Sequence, residues 1–498
     1  MIPERRAHRP RRAERPERID LDERRPLLRP LWQESVRGVI RTLVTGAPSA
    51  PPGARLAPTP ARADPLLGHL REGRLDPLAS FLRWQREEGD VVRLRLAGVT
   101  AHLVSHPRHV RWILQEGNKR FTKPIQGRRN LAQVLGNGLL VSEGSFWLRQ
   151  RRIAQPAFHR RRIHGFGERM VAAAVDLEGP WGERAARGEP FDVAREMMKL
   201  TLRVVQETLL GAAPTDDADR VGDAVSVVLE TVNRRFSRVL QPPDALPTRE
   251  NRRFTRSLRV LDEAVARIIA DKRRRPPTDD LLSMLLEARD EETGASMDDR
   301  QLRDEVMTIF LAGHETTANA LAWTYALLGQ HPDVARRLEA EVDEVLGERP
   351  PTMDDLAALP YTKAVFREAM RLYPPAWILA RAPIEDEELD GYFIPGGSRV
   401  FVSPWVVHRH PAFWADPEGF DPARFLDEAS IDKFAYIPFG GGPRLCIGHA
   451  FAMMEGVLVL ATLARRFHLE LVSGHRLVPE PTITLRPQHG VEVVARAR

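Results

Sequence analysis

The chain of 498 residues contains one cysteine, Cys446, in a segment that reads Phe-Gly-Gly-Gly-Pro-Arg-Leu-Cys-Ile-Gly. A lone cysteine cannot form an intrachain disulfide and cannot build a zinc site that needs several thiolates. The glycines and proline before it indicate a tight turn, and an apolar run with helical spacing follows it. We therefore expect Cys446 just before or at a helix N-terminus, where the helix dipole and Arg444 would stabilise a thiolate.

A thiolate held in such a turn is suited to be an axial ligand of heme iron, because its electron donation favours O–O cleavage. The alternative is a buried and inert cysteine in a glycine-rich turn. The segment 439–448 matches F-x-x-G-x-R-x-C-x-G at every fixed position, and it resembles the heme-binding loop of the cytochrome P450 family. The resemblance implies that Cys446 binds the iron of heme b (iron protoporphyrin IX), with Phe439 and Arg444 in the cofactor site.

A long helical pattern carries a second group of residues, Ala-Gly-His-Glu-Thr-Thr, which begins at Ala312. Glycine in a helix centre costs about 1 kcal/mol against alanine, so Gly313 indicates a close approach to the backbone, such as a flat macrocycle would make, and it is a candidate residue of the cofactor site. Thr316 can hydrogen-bond to the carbonyl of Ala312, which would bend or widen the helix. The segment resembles the oxygen-binding groove of the same family, which implies that Thr316 hydrogen-bonds dioxygen and Glu315 lies on the proton route. The other interpretation is a threonine-rich helix with a solvated glutamate, and His314 is expected to pack or to face solvent.

Several side chains carry nitrogen donors that suit the heme propionates. Trp147 and Arg151 stand at positions i and i+4, so a helix would present both on one side. Arginine is suited to bidentate recognition of carboxylates. The resemblance implies that four residues bind the propionates: Trp147, Arg151, Arg381 and Arg444. His102 and His408 are further candidates, with a core or surface role as an equal alternative.

A third motif places opposite charges three residues apart, at Glu368 and Arg371. Such residues share a helix face, and an exposed pair would contribute roughly 0–1 kcal/mol. Arg424 lies in a turn further along the chain. The resemblance implies that these three residues form a buried network beneath the heme loop. Their role would be structural, because the loss of one partner leaves an unpaired buried charge.

The rest of the chain predicts the elements that position these residues. Hydrophobic residues make up 43% and charged residues 29%, which is typical of a globular protein. The pattern after residue 66 is mostly helical, with short strands predicted at 91–96, 101–104, 399–402 and 491–494. The resemblance implies a mainly α fold with a small β region, in a single large catalytic domain over residues 66–498.

Residues 1–65 are predicted to be a disordered extension rich in arginine and proline. Residues 1–30 hold ten arginines and six acidic residues, so they carry +4 of the net charge of +6. The domain itself is then near neutral, which argues against a nucleic-acid-binding surface. Within the extension, residues 32–43 would form an amphipathic helix on a membrane surface, a helix packed on the domain, or a frayed tail. Residues 47–66 are interpreted as a linker.

The sequence contains no nucleotide-binding motif that would indicate a fused reductase. Electrons from NAD(P)H would then arrive through a separate acidic ferredoxin or flavodoxin and its reductase, docked at a basic face that includes Arg149, Arg152 and Arg161. An ordinary solvated face is the alternative. No run of about 18 apolar residues predicts a transmembrane anchor, and the lone cysteine fits a reducing compartment, so we expect a cytoplasmic protein. We also expect a monomer.

The implied reaction inserts one oxygen atom from dioxygen into a hydrophobic substrate, a terpenoid or a fatty acid. Candidate pocket walls such as 307–312 and 483–484 are mostly apolar. Two alternatives remain open. A peroxide-using heme-thiolate enzyme should lack the pair Glu315 and Thr316. A non-catalytic heme sensor or carrier should not need that pair either, and it would carry a recognisable output module.

Overall fold

The computed structural model describes residues 50–209, 211, 218–237, 246–278 and 280–498. The helices of this part of the chain are α1 (Leu70–Leu75), α2 (Pro77–Glu88), α3 (Pro107–Arg111), α4 (Ile125–Leu135), α5 (Gly144–Ala154), α6 (Arg160–His164), α7 (Gly167–Val175), α8 (Glu178–Arg187), α9 (Val193–Leu209), α10 (Ala218–Ser237), α11 (Arg249–Arg274), α12 (Leu281–Glu287), α13 (Asp299–Gln330), α14 (Pro332–Leu346), α15 (Pro360–Leu372), α16 (Pro404–Val407) and α17 (His449–Ala464). The strands are β1 (Val91–Leu96), β2 (Val99–Val104), β3 (Phe121–Thr122), β4 (Phe191–Asp192), β5 (Leu379–Pro383), β6 (Glu387–Leu389), β7 (Tyr392–Ile394), β8 (Arg399–Val402), β9 (Phe467–Leu471), β10 (Pro479–Pro481), β11 (Leu485–Pro487) and β12 (Glu492–Ala497). The predicted mainly α fold with a small β region is confirmed.

The predicted strands lie close to their expected positions. β1 and β8 span the predicted residues, and β2 begins earlier, at Val99. β12 extends past the predicted 491–494 because its pairing with β9 continues to Ala497. These elements form one domain in which helices cover small sheets.

The largest sheet has the strand order β1-β2-β8-β5-β3. In its register, His102 lies opposite Arg93 and opposite Val400, and Arg381 lies opposite the same valine. Residues in one row of a sheet point to the same face. The sheet therefore carries His102 and Arg381 on one face, two strands apart.

The helix α13 lies at the centre of the fold. The Asp298 side chain caps its N-terminus by accepting a hydrogen bond from the Gln301 N–H. The helix packs against α4, α9, α11, α12, α14, α15 and α17 and against β9 and β11. Most of its residues are therefore buried on all sides, as expected for a helix inside a large core. It is continuous through Gly313 and Thr316, so the predicted local widening is not observed.

Residues 1–49, which include the predicted amphipathic helix, lie outside the described residues. The segment interpreted as a linker contacts the domain from residue 55 onward. The Arg55 guanidinium lies over the Tyr392 ring, and the Pro58 carbonyl accepts a hydrogen bond from the Arg93 N–H. These residues are therefore packed on the domain, and the boundary at residue 65 stays a prediction. No helix in the described ranges is long and apolar enough to cross a membrane.

Candidate functional site

Cys446 lies in a closed turn that begins at Phe439. The Cys446 N–H donates a hydrogen bond to the Phe439 carbonyl at 3.0 Å, which closes the turn. Gly442 has φ +65°, and a Cβ there would lie 1.9 Å from the Leu114 carbonyl oxygen, so only glycine fits. The helix α17 begins at His449, three residues after the cysteine. The predicted position of Cys446 just before a helix is confirmed.

The Cys446 thiol has exposed surface, yet burial is the strongest influence on its ionisation. Desolvation raises the pKa of the thiol, while the Gly448 N–H and the Arg151 charge lower it by less. The helix terminus thus acts in the expected direction, but in the thiol without a bound metal ion burial outweighs it, and the charge that acts on the sulfur is that of Arg151 rather than Arg444. A thiol that is accessible and still deep in the protein faces an internal space, and a metal ion bound there would deprotonate it.

The helix α13 presents accessible residues inside the core. They recur at helical spacing in the middle of this otherwise buried helix, and we call them the α13 strip: Ile309, Ala312, Gly313 and Thr316. The Thr316 hydroxyl donates to the Ala312 carbonyl at 2.7 Å, as predicted. Because α13 packs against α17, the strip and Cys446 belong to neighbouring elements.

Position 313 requires a small residue because another helix passes close to it. A Cβ at Gly313 would lie 3.2 Å from Val205 Cγ2 of α9, so the predicted close approach to its backbone comes from protein. A role of Gly313 in the cofactor site stays a prediction. His314 is buried and its Nδ1 hydrogen-bonds the Phe310 carbonyl at 3.0 Å, and burial lowers the pKa of the ring. The interpretation of His314 as a packing residue is confirmed.

Several cationic side chains lie beside the Cys446 turn. Arg444 forms an ion pair with Glu143, and its guanidinium lies 4.1 Å from the centre of the Trp147 ring. Burial lowers the pKa of Arg381 to about 10, and the Arg444 charge adds to this effect. Desolvation lowers the pKa of Lys123 to about 7, with Arg444 acting in the same direction and Glu143 against it. Among the described residues, Glu143 is the one anion that acts on these cations, so positive charge is in excess.

Lys123 is a member of this cluster that sequence reasoning missed. Its ammonium donates to the Leu140 carbonyl at 2.6 Å and to the Ser142 carbonyl at 3.3 Å, so its bonds go to backbone atoms. It lies between a short strand and α4 and belongs to no motif. Only the fold brings it beside Arg381 and Arg444, which come from distant parts of the chain.

Arg151 reaches the Cys446 turn from α5. Its Nη1 donates to the Leu445 carbonyl at 2.9 Å, and its charge acts on the cysteine. Trp147, one helical turn earlier, instead stacks on Arg444. Both predicted donors on α5 therefore contact the turn that holds the cysteine, and their binding to propionates stays a prediction.

The two candidate histidines have different surroundings. His408 is fully buried, its Nδ1 bonds the Arg371 carbonyl at 3.1 Å, and its Nε2 accepts from the Ile437 N–H at 2.8 Å. Burial lowers its pKa to about 3, so His408 is a neutral core residue. His102 is also fully buried, but neither ring nitrogen has a partner among the described residues, and burial lowers its pKa to about 4. His102 shares a sheet face with Arg381 and remains a candidate for the cofactor site.

The predicted charge network is present and buried. Arg371 donates to both carboxylate oxygens of Glu368, at 2.7 and 2.8 Å, and both side chains are fully buried. It also donates to the carbonyls of His408, Pro417 and Gly419. Arg424 Nε donates to Glu368 Oε1 at 3.2 Å. Through His408, the network is connected to the residues that lead into the Cys446 turn.

The predicted basic face is only partly available. Arg152 forms ion pairs with Asp290, at 3.0 Å, and with Glu292, so its charge is neutralised. Arg149 is half-buried, with its guanidinium 5.3 Å from the Phe146 ring. Arg161 is exposed. The inclusion of Arg152 in a docking face is therefore wrong, because acidic residues on a distant loop occupy it.

Glu315 is buried, which excludes its interpretation as a solvated residue. Its Oε1 accepts a hydrogen bond from the Thr484 hydroxyl at 2.6 Å. The sequence predicted the turn at 483–484 as an apolar pocket wall, and its polar contact with the acid was missed. The signal that was available is the threonine itself, since a hydroxyl in a buried turn needs a partner.

Glu455 is a second buried acid, on α17 behind α13. It is fully buried, and neither carboxyl oxygen has a hydrogen-bond partner of good geometry among the described residues. Desolvation raises its pKa well above the ordinary value, and a nearby Thr317 hydroxyl lowers it by less. The hydroxyl is thus near the acid, although its own hydrogen bond goes to the Gly313 carbonyl at 3.3 Å. Burial therefore favours the protonated form of Glu455.

We expect Glu455→Gln to stabilise the protein increasingly as the pH rises from 5 to 7. A raised pKa means that the folded state binds this proton more tightly than the unfolded state, so wild-type stability falls above the ordinary carboxyl pKa. Glutamine has no such proton, and the difference between the two proteins should grow by up to about 1.4 kcal/mol per pH unit. Unfolding midpoints of both proteins, measured across this pH range, test this expectation. Glu344→Gln, at an exposed residue of α14, is the control. A constant difference between Glu455→Gln and wild type would contradict it.

Comparison with known proteins identifies the family. The cytochrome P450 family model matches residues 58–493. The chain is 39% identical over 428 residues to cyclooctatin synthase of Streptomyces melanosporofaciens, across 84% of this chain and 92% of that protein. It is 37% identical to cyclooctat-9-en-7-ol 5-monooxygenase of the same organism, across 87% and 94%. It is 34% identical to pentalenene oxygenase of Streptomyces avermitilis, also across 87% and 94%. With the cysteine turn and the buried glutamate–arginine network in place, this similarity over nearly the whole domain shows that the chain belongs to the cytochrome P450 family and is a heme-thiolate monooxygenase.

Proposed function

We propose that the chain oxygenates a terpenoid, and that Cys446 and the α13 strip would hold heme b, with the Cys446 sulfur as the ligand of its iron. The observation that carries the proposal is the Cys446 thiol, which is accessible within the core in a turn that only glycine permits. Phe439, at the start of the same turn, would contact the macrocycle. The family implies the heme, and the roles assigned to individual residues are inferred from their surroundings.

The residues present fit this cofactor. The accessible thiol and the α13 strip belong to neighbouring elements, and each supplies a different kind of surface: a soft ligand on one and mostly apolar residues on the other. Arg381, Arg444 and Lys123 form a cluster with excess positive charge, which suits propionate carboxylates. Arg151 and Trp147 would complete this side, because both touch the same turn.

When bound, the heme supplies dioxygen activation and oxygen transfer, so that R–H, dioxygen, two electrons and two protons give R–OH and water. The protein positions the substrate and supplies protons. The Thr316 hydroxyl lies on the accessible strip, where it would hold dioxygen and pass on a proton. Glu315, one residue earlier, is the buried acid that would replenish that proton.

We expect Thr316→Ala to uncouple the reaction. Without the hydroxyl, protons would reach the wrong oxygen atom, so NAD(P)H oxidation through a redox partner continues while product falls and hydrogen peroxide rises. The ratio of product to NAD(P)H consumed measures this effect, and Thr316→Ser, which keeps the hydroxyl, is the control. Unchanged coupling in the alanine variant would show that Thr316 is only a helix residue.

A terpenoid is the proposed substrate because the relatives are named for cyclooctatin, cyclooctat-9-en-7-ol and pentalenene, and because the α13 strip is largely apolar. The test incubates the heme-loaded protein and a surrogate redox chain with isotopically labelled dioxygen and one of three probes: pentalenene, cyclooctat-9-en-7-ol or palmitate. We expect one labelled oxygen atom in a terpenoid product. Oxidation of palmitate alone would refute the terpenoid proposal, and unlabelled product would refute the monooxygenase role.

The proposed electron donor is an acidic ferredoxin or flavodoxin, which receives electrons from NAD(P)H through its reductase. The lone cysteine supports a cytoplasmic setting, because that compartment keeps thiols reduced. We also propose that the protein acts as a monomer, which sedimentation of the heme-loaded protein would test. Arg149 and Arg161 are the cations of the predicted face that stay available for docking.

We expect the double change Arg149→Glu and Arg161→Glu to slow reduction by an acidic ferredoxin, chiefly at low salt. Charge reversal removes the electrostatic attraction that accelerates encounter, and salt screens what remains. Stopped-flow reduction rates at several ionic strengths measure this, with Arg253→Glu, an exposed arginine of α11, as the control. Rates that respond to neither salt nor the double change would place docking elsewhere.

A further inference from the structure

The turn at residues 482–485, between β10 and β11, contacts the face of α13 that carries Glu315. The Thr484 hydroxyl donates to Glu315 Oε1 at 2.6 Å and accepts from Asn319 Nδ2 at 3.2 Å. Glu315 and Asn319 are four residues apart, so they lie on one side of the helix. All three side chains are at most 6% exposed. The hydroxyl therefore bridges an acid and an amide in a place that bulk water does not reach.

Other bonds hold this turn in place. The Trp323 indole N–H donates to the Leu485 carbonyl at 3.1 Å, and the Trp377 indole N–H donates to the Thr482 carbonyl at 2.9 Å. The Ile483 N–H donates to Asn233 Oδ1 at 2.9 Å. Each of these bonds uses backbone atoms of the turn and is independent of the Thr484 side chain. Loss of the Thr484 hydroxyl should therefore leave the turn where it is and change only what the hydroxyl touches.

The Glu315 side chain leaves α13 in a different direction from that of Thr316. Successive residues of an α-helix are rotated by about 100°, so Glu315 does not share the direction of Thr316. Thr316 is on the accessible strip, whereas Glu315 is buried and its carboxyl is bound by Thr484. To exchange protons with Thr316, the Glu315 carboxyl has to stay at the edge of the α13 strip. A carboxyl that rotated into the core could not do so.

We propose that Thr484 is a positioning residue for Glu315: its hydroxyl holds the carboxyl beside the strip from which Thr316 faces the internal space. The inference rests on the proposed proton route through Glu315 and Thr316. It also connects that route to the turn that contains Ile483, which the sequence indicated as a pocket wall. Asn319 supports the arrangement by donating to the threonine oxygen, so that the threonine proton is directed to the acid.

The test compares substitutions that remove the hydroxyl, Thr484→Val and Thr484→Ala, with Thr484→Ser, which keeps it. Thr482→Val is the matched control, because the Thr482 hydroxyl donates to the Thr484 carbonyl within the same turn at 2.7 Å. Infrared spectra of the heme-loaded protein without substrate give the Glu315 carboxyl band, assigned by its absence from Glu315→Gln. We expect this band to shift in the valine and alanine variants and to stay in place in the serine variant and the control.

Turnover supplies the second measurement. With dioxygen and a redox chain, the product formed per NAD(P)H consumed should fall severalfold in Thr484→Val and recover in Thr484→Ser. With hydrogen peroxide as the oxidant, R–H and H2O2 give R–OH and water without outside protons or electrons. Peroxide-supported product should therefore be unchanged, whereas a substitution that merely distorts the pocket would lower both reactions together.

An unshifted carboxyl band in the valine and alanine variants would overturn the inference. Full coupling in Thr484→Val together with uncoupling in Glu315→Gln would also overturn it. That result would leave the proton route intact and exclude only the role of Thr484. Full coupling in both Glu315→Gln and Thr316→Ala would instead refute the proton route, and the contact with Thr484 would then be structural only. Equal losses with dioxygen and with peroxide would also reject a role in positioning the acid.

Discussion

Replacement of Cys446 by serine or histidine should abolish dioxygen-dependent product formation while the fold persists. The thiolate is the donor that drives O–O cleavage, and a hydroxyl or a neutral imidazole is too weak to replace it. The turn itself does not depend on the sulfur, since the bond from residue 446 to the Phe439 carbonyl uses the backbone N–H. The positions in the turn with positive φ, Gly440 and Gly442, stay unchanged.

Product formation and circular dichroism, measured on the same samples, test this expectation. Ile447→Val, next to the cysteine, is the control, because it changes the turn by one methylene and leaves the ligand in place. Dioxygen-dependent turnover in Cys446→Ser at the wild-type rate would remove Cys446 from the mechanism.

Replacement of Arg371 by leucine should prevent the protein from accumulating as a folded, heme-loaded enzyme. Arg371 is fully buried and donates to Glu368 and to three backbone carbonyls. Without it, the buried carboxylate of Glu368 retains Arg424 as a cation and the Asp421 N–H as a donor, and the carbonyls lose the Arg371 guanidinium. Breaking such a pair costs about 3–5 kcal/mol, which is a large part of the stability of a typical domain. Arg371→Lys should fail as well, since an ammonium cannot reproduce the bidentate geometry.

The matched control for Arg371→Leu is Arg349→Leu. Arg349 also makes a bidentate ion pair, with Asp355, but its side chain is 51% exposed. A surface pair of this kind is worth about 0–1 kcal/mol. The yield of heme-loaded protein and its thermal midpoint distinguish the two variants. An equal yield and an equal thermal midpoint for the two variants would mean that burial does not increase the contribution of the Glu368 network to stability.

The motifs were predictable because each depends on short spacing. The turn around Cys446 follows from glycines and a proline at fixed offsets, and the common face of Glu368 and Arg371 follows from helical periodicity. The long helix around Thr316 was evident from its apolar pattern. Each of these features is decided within one or two turns of the backbone, so the sequence alone was sufficient to predict it.

Contacts between distant segments were not predictable. Arg152 is neutralised by Asp290, which lies 138 residues later, and Thr484 bonds Asn319, 165 residues earlier. Lys123 joins Arg381 and Arg444 only when the sheet, α4 and the Cys446 turn are packed together. No local pattern signals such contacts, because they depend on how whole elements pack.

The influences on the ionisation of Cys446 were only partly predicted, for a related reason. The helix N-terminus does lower its pKa, as the local sequence suggested, but the charge that lowers it is that of Arg151 rather than Arg444, and desolvation by the surrounding core is the larger effect and raises it. Gly313 is similar: the space it leaves is taken by Val205 of α9. In both cases the local sequence indicated an effect that is present in the structure. Residues packed around the site determine the final pKa of Cys446 and the neighbour of Gly313.

The visible spectrum of the reduced, carbon-monoxide-bound protein reports whether Cys446 binds the heme iron as a thiolate. If Cys446 supplies a thiolate to the heme iron, the Soret band should be strongly red-shifted, and the shift should disappear in Cys446→His. A Soret band at the ordinary position in the wild-type protein, as a histidine ligand gives, would contradict thiolate ligation and with it the proposed function of the site.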